Sequence, residues 1–129
     1  MTQEFVPYEE ALGLKELGFD EPCLSYYEGE SFSYHLQSMT SGDDYIIPAP
    51  LYQQAFRWFR EKYKLHSTIT SISQESWQWH ITKPGESLGK LYDEDFYTYE
   101  EAELACLKKL IEIVKTNNEP ILYNNNTPN

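Results

Sequence analysis

The sequence predicts an α+β domain in which a four-stranded antiparallel sheet packs with three helices, in the order α-β-β-α-β-β-α. Two pairs of short segments alternate apolar and polar residues around turn residues, as β-hairpins do. Three other segments repeat apolar residues at helical spacing. Because 129 residues can bury one sizeable core, residues 1–116 are expected to form a single compact domain, followed by a flexible Asn-rich tail at 117–129.

The first 45 residues are predicted to hold a helix, a hairpin and a loop. The helix is expected over about residues 7–17, because Pro7 suits a first helical position and Gly18 suits a left-handed cap after the last turn. The hairpin strands and the polar loop after them are Cys23–Tyr27, Ser31–Leu36 and Gln37–Asp44.

The middle of the chain predicts a second helix and a second hairpin. A proline-stiffened entry at Ile46–Pro50 leads into a helix over Leu51–Lys64, where apolar residues recur every three or four positions. Ser67–Ser73 is rich in Thr, Ser and Ile, and the strand after it places Trp77 and Trp79 on one face. Lys83–Glu86 is predicted as a turn. If the sheet has a fifth strand, it is expected at the sheet edge, within Leu88–Phe96.

The third helix has the clearest start signal in the sequence. Thr98 and Glu101 have the spacing of a capping box, in which each side chain satisfies a backbone N–H at the helix start. The apolar stripe predicted to pack on the sheet consists of Ala102, Cys106, Leu107, Leu110, Ile111 and Val114.

The charge of the chain excludes some classes of partner. Ten basic residues against 21 acidic residues give a formal charge of −11, which disfavours direct binding to duplex nucleic acid or to an anionic membrane. A basic protein partner is compatible with this charge. The absence of a long apolar stretch or a signal-like start predicts a cytoplasmic protein, in which Cys23 and Cys106 are small buried residues.

Two sequence patterns stand out within residues 46–115. The segment Ile47–Tyr63 follows the pattern P-x-x-Q-x-x-x-x-W-x-R-E-K, and Thr98–Ala102 reads T-Y-E-E-A. Both patterns, with two strands between them, are similar to those of small, mostly uncharacterised proteins of bacteriophages and prophages. The resemblance implies an accessory protein of a phage or mobile element acting in the bacterial cytoplasm, and it brings no catalytic residues.

The second helix carries a local excess of positive charge. Arg57, Arg60 and Lys64 share one helical face, and with Lys62 they place four of the ten basic residues within eight positions. This stripe could hold the phosphates of a nucleotide-like ligand, or it could be a solvated face paired with the surplus carboxylates. The other candidate ligand-binding residues, whose aromatic members could equally be core residues, are Trp58, Trp77, Trp79, Tyr34 and His80.

Acidic residues cluster on both sides of the start of the third helix. The segment 93–103 holds six acids and no Lys or Arg, so its carboxylates could imitate nucleic acid and occupy a basic groove on a protein. The same charges could serve only solubility and the helix dipole. The candidate protein-binding residues are Asp93, Glu94, Asp95, Glu100, Glu101 and Glu103.

Two hypotheses of function follow, and neither involves an enzyme, a cofactor or a metal. The first is a phage accessory protein, expected to be a homo-oligomer, that sequesters a nucleotide-like signal and so counters host defence. The second is an acidic inhibitor or DNA mimic that binds a basic host protein.

Overall fold

The chain forms three helices and six strands. The computed structural model describes residues 4–39, 46–87 and 95–117. Its helices are α1 (Tyr8–Glu16), α2 (Tyr52–Tyr63) and α3 (Tyr99–Asn117). Its strands are β1 (Cys23–Glu28), β2 (Ser31–Met39), β3 (Ile46–Pro48), β4 (His66–Ser73), β5 (Ser76–Lys83) and β6 (Glu86–Ser87).

The α+β class is confirmed, but the single four- or five-stranded sheet is wrong. The described strands form two antiparallel sheets, in the orders β2-β1-β3 and β4-β5-β6. The difference arises at Ile46–Pro48, which the sequence predicts only as the entry to a helix. This segment pairs with β1 and puts Pro48 opposite Tyr26. Because β3 occupies the edge of β1 that the hairpin leaves open, that edge is closed to the second hairpin, and Pro48 itself tolerates an edge position.

Two strands differ in extent from the prediction: β2 is longer, and β6 begins at Glu86, within the predicted turn, and pairs with β5. The strand β2 runs to Met39, so residues 37–39 are strand where a loop is predicted, while residues 40–45 lie outside the described part. Phe96 exchanges two backbone hydrogen bonds with Trp77, with N–O distances of 2.8 and 3.0 Å. That bridge lies within the predicted fifth strand, of which residues 88–94 are outside the described ranges. Residues 118–129 of the predicted tail are also outside them.

The helix ends follow their sequence signals. Gly18 has a φ of +100°, and the N–H of Phe19 beyond it bonds to the carbonyl of Leu14 at 3.0 Å. At the start of α3, the Glu101 N–H donates to the Thr98 hydroxyl at 3.1 Å. The Glu101 carboxylate accepts from the Tyr97 N–H at 3.1 Å. The capping box is therefore present, with its return bond shifted one residue towards the N-terminus.

One core joins all three helices to both sheets. The helix α3 contacts α1 and α2 and packs on β4 and β5, while α1 packs on β3. Fully buried side chains come from every part of this arrangement, including Leu14, Phe19, Phe59, Ile81, Leu107 and Leu110. Both cysteines are buried and free, as predicted. Within the described residues, the helices are too short or too polar to cross a membrane.

The segment before α1 runs beside the start of α2. Phe5 forms an antiparallel bridge with Leu51, and the Val6 N–H donates to the Pro50 carbonyl at 2.9 Å. The Tyr27 hydroxyl of β1 donates to the Val6 carbonyl at 3.0 Å. These bonds hold residues 4–7 against the N-terminal end of α2.

Candidate functional site

The basic stripe of α2 lies on the surface. Arg57 donates to the Glu21 carboxylate at 3.4 Å, and both side chains are partly exposed. Arg60 and Lys64 are exposed and take part in none of the ion pairs found among the described residues. One of the three proposed phosphate-binding groups therefore already has an anionic partner.

Two of the candidate tryptophans belong to the core. Trp58 is 5% exposed and Trp79 is 8% exposed. The Trp58 ring lies with its centroid 5.1–5.4 Å from the rings of Phe19, Phe59 and Tyr63. Edge contacts of this kind pack aromatic side chains together and leave little ring surface for a ligand.

The remaining candidates lie on different parts of the molecule. Tyr34 is 56% exposed on β2 and contacts Phe5, with ring centroids 5.7 Å apart. Trp77 on β5 packs its ring edge-on against Tyr99, at 5.5 Å. His80 is exposed on the same strand. The structure thus places these side chains on two sheets.

The acidic candidates are better grouped. Asp93 and Glu94 lie outside the described residues, and the Asp95 carboxylate accepts from the Gln78 amide at 2.8 Å. Glu100 and Glu101 are exposed in the first turn of α3. Glu103, one turn further on, is only 7% exposed. Three of the six acidic candidates therefore lie together at one helix end.

That helix end borders a concave surface, here called the acidic cleft. It consists of two cavities of about 370 and 410 Å³ that share Tyr52 and Glu100 as lining residues. Its walls are residues 4–7, the start of α2 and the start of α3, with Tyr27 of β1. No Lys, Arg or His occurs among its described lining residues, which include Glu4, Glu100, Glu101 and Glu103.

Glu103 is the buried acid of the cleft. The Tyr99 hydroxyl donates to its carboxylate and in turn accepts a hydrogen bond from the Gln53 side chain. Burial raises the pKa of Glu103, the hydrogen bond from Tyr99 lowers it, the nearby Glu100 raises it, and the net value is about 7. Burial, reinforced by Glu103 and Glu10, also raises the pKa of Tyr52, so this phenol stays neutral.

Sequence reasoning missed most of the residues that line the cleft. The sequence predicts Tyr52 and Tyr99 only as members of helices, and Glu4 is not among the candidate residues. The residues come from three distant segments, and only the Phe5–Leu51 bridge and the packing of α2 on α3 bring them together. Helical periodicity reports one segment at a time, so the sequence holds no signal for this juxtaposition.

Comparison with protein-family models, curated proteins and solved structures gives no match for this chain. The resemblance to phage proteins therefore stays a prediction, and the site has to be interpreted from its own chemistry.

Proposed function

We propose that this chain is a non-enzymatic binding protein whose acidic cleft takes up a basic segment of a partner protein. The observation that carries the proposal is the cleft lining, which has four glutamates and no cation among its described residues. A cleft lined by one sign of charge focuses the field and draws in a partner of the opposite sign. The formal charge of −11 acts in the same direction.

The cleft also suits a protein ligand because it is not only acidic. Its lining also contains aromatic and aliphatic side chains, namely Phe5, Tyr27, Tyr52 and Leu104. Lysine and arginine carry long apolar stems below their charged groups, so a basic peptide can pack its stems on such rings while its charges meet the carboxylates. An acidic inhibitor of a basic host protein is the more specific form of this proposal, and the likeness to phage proteins supports that setting.

The nucleotide-sequestering hypothesis has less support from geometry. Arg57 is paired with Glu21, Trp58 and Trp79 are core residues, and the stripe lines neither cavity of the acidic cleft. It stays a prediction, as does the homo-oligomer expected with it. Native mass spectrometry of the purified protein tests both together, since a retained nucleotide and the subunit number appear in one spectrum.

A lysine oligomer is the probe that tests the proposed function. Its affinity is measured by fluorescence anisotropy at low and high salt, with the variant E4K/E100K and the control E61K/E75K. Both double variants change the net charge equally, and all four side chains are exposed, but only Glu4 and Glu100 line the cleft. We expect wild type and control to bind, and the cleft variant to lose at least about tenfold in affinity.

Salt dependence and the control decide the outcome. Binding should weaken steeply as salt rises, because screening shortens the reach of exposed charges to about 10 Å at 0.1 M. If both double variants lose the same affinity, net charge alone accounts for binding and the cleft has no specific role. If wild type does not bind the lysine oligomer even at low salt, the proposal is wrong.

A further inference from the structure

The most distinctive group in the acidic cleft is the Glu103 carboxylate, because it is buried without a cation. Its side chain is 93% removed from solvent, being 7% exposed. The ion pairs within residues 4–39, 46–87 and 95–117 do not include it. Fully buried glutamates are rare unless a cation or a metal compensates their charge, since desolvating a carboxylate is costly.

The bonds that Glu103 does make hold it in place without neutralising it. The Tyr99 hydroxyl donates one hydrogen bond, and Gln53 positions that hydroxyl from α2. A carboxylate offers about four acceptor positions, so most of them remain for a ligand. The carboxylate lines the cavity of about 410 Å³ together with Tyr52 and Tyr99.

The surroundings of Glu103 select the kind of cation. Tyr52 lines both cavities, Tyr27 lines the neighbouring one, and Tyr99 lines the cavity of Glu103, so the cleft offers aromatic surface as well as carboxylates. Ring faces attract cations and accommodate methylene chains. A guanidinium group binds a carboxylate best when it reaches both oxygens in one plane. The Tyr99 hydroxyl already occupies one acceptor position of Glu103, so the site favours a compact ammonium group.

We infer that the acidic cleft binds one lysine side chain of the basic partner, with its ammonium group beside the Glu103 carboxylate and its methylene chain against Tyr52. This inference rests on the proposed function and adds a specificity that diffuse attraction lacks. The exposed acids Glu4, Glu100 and Glu101 would draw in the basic segment, and Glu103 would hold one residue of it.

The raised pKa of Glu103 makes this binding depend on pH. An ammonium group binds the ionised carboxylate, which is the minor form below a pKa of about 7. Affinity should therefore rise about tenfold between about pH 6 and pH 8. The titratable groups that line the same cavity or act on Glu103 are Tyr99, Glu100, Tyr52, Glu4 and Cys106.

The test uses the full chain, a lysine oligomer, the same oligomer acetylated on every side chain, and an arginine oligomer of equal length. The variant is Glu103→Gln, which keeps the shape of the side chain and removes its charge. The control is Glu61→Gln, which removes one exposed charge outside the cleft. Thermal melting of both variants checks that each is folded.

We expect Glu103→Gln to weaken lysine-oligomer binding at pH 8 by at least about tenfold and to abolish the pH dependence, whereas Glu61→Gln changes affinity less than about twofold. The acetylated oligomer should not bind, and the arginine oligomer should bind more weakly than the lysine oligomer. Equal binding by Glu103→Gln and wild type, with the loss in E4K/E100K retained, would overturn this inference alone. Failure of every oligomer to bind would overturn the proposed function as well.

Discussion

The burial of Glu103 bears on the stability of the fold as well as on the proposed binding. Glu103 lies in the second turn of α3, beyond the first turn in which the helix dipole stabilises negative charge. Burial there raises its pKa to about 7. Covering this carboxylate with a ligand costs little additional desolvation free energy, because folding has already removed most of its water.

The raised pKa predicts that Glu103 makes the protein less stable as pH increases. In the unfolded chain the carboxylate has its ordinary pKa of 4.5. Between that value and about 7 the folded state holds a proton that the unfolded state has lost, so stability falls as pH rises through this window. Relative to Glu103→Gln, wild type should lose about 2 kcal/mol of unfolding free energy between about pH 5.5 and pH 8.

Urea unfolding of both proteins across this pH range measures the difference. The other carboxylates are present in both proteins, so their contribution to the pH dependence cancels in the difference. Parallel pH profiles for the two proteins would contradict the assignment of a raised pKa to this group.

At the scale of elements, the end of α2 carries a local strain. Lys64 caps the helix with a φ of 60°, in the left-handed region that side chains with a Cβ rarely adopt. Its N–H bonds to the Arg60 carbonyl at 3.2 Å, and the N–H of Leu65 bonds to the Phe59 carbonyl at 3.2 Å. These bonds close the helix and deliver the chain into β4, so the strained conformation is tied to the connection between two elements.

Replacing Lys64 by Gly should therefore stabilise the protein by about 0.5–1 kcal/mol, since glycine adopts a positive φ without a steric cost. The matched control is Arg60→Gly, which also removes one exposed positive charge but puts glycine inside the helix. It should destabilise by about 1 kcal/mol. Chemical denaturation compares the two, and a loss of stability in both variants would refute the strain at Lys64.

Elements also decide how well the cleft is shaped. The bridge between Phe5 and Leu51 and the hydrogen bond from Val6 to Pro50 attach the segment before α1 to the start of α2. The capping bonds at Thr98 hold the first turn of α3, which carries Glu100 and Glu101. The walls of the cleft are thus tied down by backbone bonds, and a site held on such elements needs little ordering when it binds.

At the scale of the whole molecule, two small sheets depend on one core. A small sheet needs a hydrophobic face or a packed helix to be stable, and here both sheets share buried residues with α2 and α3. The chain should therefore unfold in one cooperative transition, as small single domains usually do.

Leu14→Ala tests this cooperativity from one side of the molecule. Leu14 is fully buried in α1, which packs on β3 of the first sheet, whereas Trp58, Trp77 and Trp79 lie in α2 and in the second sheet. The variant should lose about 2–5 kcal/mol, because it leaves a cavity in the core. Tryptophan fluorescence and far-ultraviolet circular dichroism should still report the same midpoint. Two separate transitions would mean that the sheets unfold independently.

The acidic residues at the start of α3 line a cleft only in the folded chain. Glu100, Glu101 and Glu103 are close in sequence, and their clustering predicts a negative surface at the start of a helix. Burial separates Glu103 from the other two, which stay exposed, and Glu103 lines a cavity together with Tyr52 and Gln53 of α2. Helical spacing already separates the three residues, since Glu103 precedes Cys106, Leu107 and Leu110 of the predicted apolar stripe by three, four and seven positions. It does not show which surface covers that face of the helix.

What the sequence determined by itself is local. Helix ends at Gly18 and Thr98, the alternation in β5 and the burial of both cysteines depend on neighbouring residues and on hydrophobicity, so the pattern predicts them. Only the tertiary structure decided that Ile46–Pro48 is a strand, that there are two sheets, and that an acidic cleft forms between three segments. The physical reason is that strand pairing and cavity formation depend on which distant surfaces meet, and no local preference encodes that choice.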